Sequence, residues 1–196
     1  MTDAAIALAA GAARLSVARR GAEAIAWIVG DVELLWPGDP AIWGEISPIL
    51  YPVVGWTRDG ARVGGRHYPL GLHGFASGEN FAVETADAAF ARLALRDNAK
   101  TRALYPFAFA LAVEYRLAGA ALEITLEVAN PGDAPAPYAC GHHPGLADIC
   151  LVPQIFNARR LKVPLDRFSK ITAVEAACLK LPAFDKARPE NQPDAE

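Results

Sequence analysis

The segment Ala121-Leu122-Glu123-Ile124-Thr125-Leu126-Glu127-Val128 sets Leu122, Ile124, Leu126 and Val128 on one side of the chain and Glu123, Thr125 and Glu127 on the other. A period of two is the signature of a strand with one face buried. It ends at Asn130-Pro131-Gly132-Asp133, four turn-forming residues, and the run Phe107 to Leu117 precedes it across Ala118-Gly119-Ala120. Together these predict a β-hairpin. Upstream, Arg14 to Ala18, Ala24 to Val29, Val32 to Trp36, Phe81 to Thr85 and Ala89 to Leu95 are short apolar or β-branched runs divided by turn residues. Many short strands with frequent turns predict a sandwich of antiparallel sheets. No stretch before residue 147 keeps a 3.6-residue period for three turns, and in the tail only Ile171 to Leu181 predicts a short helix.

Composition narrows the function classes. With 196 residues, 53% hydrophobic and 21% charged, the chain has enough apolar surface to offset ordering entropy and is not a disordered protein. Nineteen Lys and Arg against 22 Asp and Glu leave a net charge of -3, without the basic footprint that nucleic acid requires. No uncharged apolar run approaches the roughly 20 residues of a membrane span, and the apolar opening follows Asp3 with no basic residue before it. A soluble, cytoplasmic protein is expected. Cys140, Cys150 and Cys178 are an odd number without CxxC or zinc-like spacing, so no disulfide framework or metal site is expected.

The composition changes near residue 147. All 16 glycines lie between Gly11 and Gly145, and the upstream frequency would put about five in the remainder of the chain. Lysine shifts the other way: Lys100 stands alone before residue 147, with Lys162, Lys170, Lys180 and Lys186 after it. Either the architecture changes there or the reading frame or exon does. The expected organisation is a sandwich portion over 1–147 and a divergent, irregular or partly helical tail over 148–196, with the proline-rich stretch from Lys186 frayed.

Three of the four histidines sit among turn formers: His73 before Gly74-Phe75, and His142-His143 between Gly141 and Pro144-Gly145. An imidazole on a backbone fixed by glycine and proline can donate or accept a proton near neutrality, or bind a sugar hydroxyl. The bland reading, a surface or structurally hydrogen-bonded histidine, stays open for each. Adjacent His142 and His143 point to opposite sides if the chain is extended, which weakens a metal reading. His67, between Arg66 and Tyr68, reads as solvent-facing. Trp36, Trp43, Tyr51, Trp56 and Phe75 cluster in a proline-punctuated region, and their flat faces suit either a core or the C–H surface of a sugar. There is no GxGxxG, GxxxxGK[ST] or GxSxG, so nucleotide binding and serine hydrolysis have no sequence warrant.

The ordered strings Leu35-Trp36-Pro37-Gly38-Asp39, Ser47-Pro48-Ile49-Leu50-Tyr51-Pro52-Val53-Val54-Gly55, Tyr68-Pro69-Leu70-Gly71-Leu72-His73-Gly74-Phe75-Ala76, Tyr105-Pro106-Phe107 and Gly141-His142-His143-Pro144-Gly145 resemble the aldose 1-epimerase (galactose mutarotase-like) family over about residues 5–147. The resemblance implies an all-β antiparallel supersandwich, incomplete in this chain, that binds a free aldohexose without a cofactor. It implies mutarotation: a base takes the anomeric hydroxyl proton, an acid protonates the ring oxygen, and the opened ring recloses on its other face. Carried over by motif, His143 is the histidine acting on the ring oxygen, with His73, His142 and Phe75 as substrate contacts.

The family's base is a C-terminal glutamate whose motif is not found here; Glu175 lies in the unrelated string Ala173-Val174-Glu175-Ala176-Ala177, and Ser77 stands where a basic residue is expected. The alternatives are a non-catalytic carbohydrate-binding protein and an inactive truncated mutarotase. With strands missing, aggregation or self-association through an open sheet edge is expected, with little mutarotase activity unless the tail supplies strands and a carboxylate such as Asp148, Asp166 or Glu175.

Overall fold

A computed structural model describes residues 5–41, 44–143, 147–180 and 191. Two units emerge, Met1–Gly145 and Leu146–Glu196. In the first, β1 (Ile6–Ala10), β2 (Ala13–Val17), β3 (Ala24–Val29) and β4 (Val32–Glu33) form an antiparallel sheet in chain order. Two short pieces follow, β5 (Ile49–Leu50) and the hairpin of β6 (Ala61–Val63) with β7 (Arg66–Tyr68). A second antiparallel sheet is built from β8 (Ala82–Ala86), β9 (Phe90–Arg96), β10 (Ala110–Ala118) and β11 (Ala121–Ala129), in the order β11-β10-β9-β8. The last strand, β12 (Gly141–His142), pairs antiparallel with β5.

The alternation in the sequence becomes register. Leu111, Val113, Tyr115 and Leu117 of β10 oppose Val128, Leu126, Ile124 and Leu122 of β11, while the first three also oppose Leu95, Leu93 and Ala91 of β9. All these β9 and β10 residues are buried, as are Leu8, Leu15 and Val17 of the first sheet. The core of an antiparallel sandwich therefore lies between the two sheets. A Tyr115 hydroxyl donating to the Ala22 carbonyl at 2.6 Å stitches them together. The opposite face of the second sheet is wet: Arg92 donates to Glu84 on β8, Glu114 on β10 and Glu127 on β11. Gly119, with φ +61, lets β10 turn into β11 as a tight hairpin.

The predicted strands match the observed ones within a residue or two at most ends, although Val32 to Trp36 yields only β4 and β1 had no predicted counterpart. Among the described residues one α-helix precedes residue 147: α1 (Ala99–Leu104) is six residues long and is set by a capping box, Asn98 with Thr101, too short to register as a period.

The second unit contains α2 (Ala147–Arg160) and α3 (Ser169–Cys178). α3 matches the expected tail helix two to three residues early; α2 was not expected. It carries Pro153 inside it, which removes a backbone donor and normally breaks a helix, and the block Ile149-Cys150-Leu151-Val152 hides any amphipathic period. The two helices pack on each other with Ile155 and Cys178 buried, and the Arg159 guanidinium grips both oxygens of Glu175, itself 4% exposed. Among the described residues no helix is long and apolar enough to cross a membrane.

Candidate functional site

The three histidines of interest are held by a small frame around β5. Glu23 accepts from the backbone N–H groups of Ile46 and Ser47 at 3.0 and 2.8 Å, fixing the approach to β5. Ser47 is fully buried and its Oγ lies 2.6 Å from His142 Nε2, which also lies 3.2 Å from the Ser47 carbonyl. Pairing of β12 with β5 sets Gly141 opposite Leu50 and His142 opposite Ile49, and the His143 N–H donates to the Pro48 carbonyl at 3.1 Å. In extended chain, neighbouring side chains diverge. His142 accordingly turns toward Ser47, and His143 turns the other way and is exposed.

The second histidine arrives on a strained turn. His73 has φ +58 and Gly74 φ +77. A Cβ on Gly74 would collide with the Tyr51 carbonyl, so this turn needs glycine for space as well as for conformation. That same carbonyl accepts from the Phe75 and Ala76 N–H groups at 3.0 and 3.2 Å, anchoring the turn to the residue after β5. His73 and Gly55 bond twice: the His73 N–H donates to the Gly55 carbonyl at 2.9 Å, and the Gly55 N–H donates to His73 Nδ1 at 3.0 Å. Since Nδ1 accepts, a neutral His73 ring carries its proton on Nε2. The rings of His73 and His143 meet edge to face, centroids 5.0 Å apart and planes at 82°. Seventy residues of sequence separate them, and the β5 frame brings them together.

His142 and Phe75 have other surroundings. Burial depresses the His142 pKa below its ordinary value, opposed by its bond to the Ser47 backbone and reinforced by neighbouring His143. Phe75 is 7% exposed, with its ring among Tyr51 and Phe109 at centroid distances of 6.2 and 5.8 Å. It shapes the floor under the His73 turn. Glu175 is committed to Arg159 within the second unit. Asp148 falls on a helical residue whose side chain is outside the described set, and Asp166 lies between α2 and α3. Trp43 lies outside the described residues, and among those described no group of three or more His, Cys, Asp or Glu is gathered to hold a metal. His67 is exposed, with Nε2 against the Asp59 carbonyl. The roles of Ser47 and Gly55 were not legible in the sequence, because each acts on a partner 95 or 18 residues away.

The depressed His142 pKa gives a direction for acid stability. The unfolded chain binds this proton near pH 6.5, the folded chain only at lower pH. Stability is therefore full above about 6.5 and falls as the pH drops toward the lower folded value. Urea midpoints measured between pH 5 and 8 should fall on the acid side, and His142→Gln should flatten that slope; an unchanged slope in the variant would show the titrating group to be elsewhere.

Comparison with known proteins places these elements in a family. The profile for aldose 1-epimerase matches residues 4–148. LacX (chromosomal) of Lactococcus lactis is 32% identical over 120 residues, covering 58% of this chain and 40% of that protein. The crystal structure of a galactose mutarotase related enzyme from Lactobacillus acidophilus superposes with a TM-score of 0.70 at 32% identity, covering 71% of this chain and 48% of its own. A different relative, maleylpyruvate isomerase of a Ralstonia species, is 50% identical over 58 residues, which is 30% of this chain and 27% of that protein. The chain spans about half the length, or less, of each. With its antiparallel sandwich, its strings in family order and a profile match over most of its length, the chain belongs to the aldose 1-epimerase family.

Proposed function

We propose that the first unit binds a free aldohexose and exchanges its anomers, with the edge-to-face pair of His73 and His143 as the observation that carries the reading. His143, exposed and held by its backbone to Pro48, donates a proton to the ring oxygen. As that proton arrives, the C1–O5 bond breaks and the anomeric hydroxyl proton leaves to solvent. Rotation about C1–C2 and reclosure on the other face return the O5 proton to His143 while O1 takes a proton back from solvent. His73, with Nε2 as its donor, holds a sugar hydroxyl. No cofactor enters. Among the described residues no carboxylate is paired with either ring, so the base half of the chemistry falls to water, and general catalysis by one positioned group is worth roughly 10²–10⁴. Slow, histidine-dependent mutarotation is therefore the expected activity.

Polarimetry with fresh α-galactose or α-glucose tests this. The protein should speed the approach to anomeric equilibrium above buffer, and His143→Ala should lose that acceleration by about 10²-fold or to the buffer rate, mainly in kcat, because the acid works in the transition state. Equal acceleration by His143→Ala would overturn the assignment.

For the second unit, we infer that it carries the isomerase match. The supports are the family profile that stops at 148, the unit boundary at Gly145 and the glycine-free, lysine-richer composition beyond it. About a quarter of an isomerase gives no warrant for isomerase chemistry here. The proposed location is the cytoplasm, in keeping with the free thiol at Cys140.

A further inference from the structure

The turn between β2 and β3 is held from several directions at once. The Gly21 N–H donates to the Glu79 carbonyl at 2.7 Å, and a Cβ on Gly21 would stand 2.9 Å from the Ser77 carbonyl oxygen. Ala22 is fully buried with φ +47, a left-handed backbone that a residue carrying a Cβ keeps only where its surroundings dictate it. Tyr115 of the other sheet donates to the Ala22 carbonyl, and the Glu23 carbonyl accepts from the Ala18 N–H at 2.8 Å. Backbone held this firmly aims the side chain that follows it. Glu23 sets one oxygen, Oε1, on the N–H groups of both Ile46 and Ser47. The grip then passes along the chain. Of the three polar or charged residues buried among those described, Thr101 serves a helix cap and Glu175 an ion pair, which leaves Ser47. A buried hydroxyl is costly without a partner, and the partner here is His142 Nε2. Pro48 takes the His143 N–H, and Ile49 pairs with His142.

From this geometry we infer that Glu23 and Ser47 are positioning residues for the proton donor: they fix His143 against His73 by holding β5 and β12 to the β2–β3 turn. Neither acts on the sugar. A continuous run of bonds leads from Tyr115 in the core through Ala22, Glu23 and Ser47 to His142, and the backbone of His142 carries His143. β12 is two residues long, so its own pairing with β5 is too short to hold an imidazole still. The Ser47 side chain supplies what that pairing lacks, since it ties the side chain of the residue next to the donor. What Glu23 contributes is placement rather than charge, because both N–H groups meet the same oxygen and an amide oxygen at that point would accept them equally. The inference rests on the sugar-site reading above and extends it to two residues outside the histidine pair.

Mutarotation kinetics with galactose and ring-nitrogen spectra of the full chain test it together. Ser47→Ala and Glu23→Ala should each lower kcat at least about tenfold, the scale of loss when a reacting group is slightly misplaced. KM should stay within about twofold, because His73 keeps its hold on the sugar. Glu23→Gln, which retains the accepting oxygen without the charge, should remain within about twofold of the parent in kcat. In the absence of sugar, the His143 ring signals should move in both alanine variants and return to their parent positions in Glu23→Gln, with those of His67 unmoved throughout. Ser47→Cys, close in size with a weaker donor, should fall between the parent and Ser47→Ala, and takes the place of Ser47→Ala if that variant does not fold. Parent values of kcat and of the His143 signals in a folded Ser47 variant, with only the melting temperature lowered, would make Ser47 a structural residue and overturn the inference. Equal losses in Glu23→Gln and Glu23→Ala would also overturn it, since charge and not placement would then be what matters. A parent chain without mutarotase activity would remove the sugar-site reading alone, and the His143 ring signals of the variants would still decide the positioning.

Discussion

Gly74→Ala should abolish sugar binding and lower the stability of the first unit by several kcal/mol, the largest effect expected of any single methyl group in the chain. Left-handed backbone costs a non-glycine residue roughly 1–2 kcal/mol, and here the new Cβ also meets the backbone carbonyl of Tyr51, which cannot rotate away. That carbonyl accepts from Phe75 and Ala76, so relief of the clash would break the anchor of the turn carrying His73. Chemical denaturation should show the loss and NMR titration should show no galactose binding. A control at Gly119, where φ is +61 and no atom lies within 4 Å of the added Cβ, should cost only the conformational strain. Equal effects at the two positions would remove the steric argument.

The second large effect is association. β11 forms one end of its sheet, nine residues long, and its inner face holds Leu122, Ile124, Leu126 and Val128 half-buried. Among its described residues the second unit contributes helices and no strand to extend that edge. An unpaired strand of this length with a half-covered apolar face is a template for another chain. Fully burying such side chains is worth roughly 1.5–3 kcal/mol each, much of it offset by the entropy of association. Light scattering should therefore show mass rising with concentration, and Val128→Lys, which puts a charge on the inner face of the edge, should shift that rise to at least about tenfold higher concentration with the spectrum of a β protein retained. A monodisperse monomer at all concentrations would contradict the open edge.

The contrast between these two predictions shows what the sequence makes legible. The second sheet can be read directly, because Leu122 to Val128 and their partners on β10 and β9 alternate, and alternation is a local property of the chain. The glycine-poor tail likewise announces a change of architecture, and Ile171 to Leu181 lies over α3 with its bounds shifted. The frame of the site is another matter. β5 and β12 are two residues each and find one another across some ninety residues, a length too short to carry a period. His142 and His143 share one motif, and only the pairing of β12 decides which ring turns to Ser47 and which meets His73. Helix α2 was hidden by an interior proline that tertiary packing overrides.

The most direct test of the account is the response of the imidazoles themselves to a sugar. In nitrogen-labelled protein, long-range proton–nitrogen spectra resolve the ring signals of His67, His73, His142 and His143, assigned by single substitution. On addition of galactose the account predicts concerted shifts of His73 and His143 along one binding curve, a smaller response of His142 behind Ser47, and none of His67. Shifts confined to His67, or a titration that leaves His73 and His143 unmoved while the protein remains folded, would contradict it.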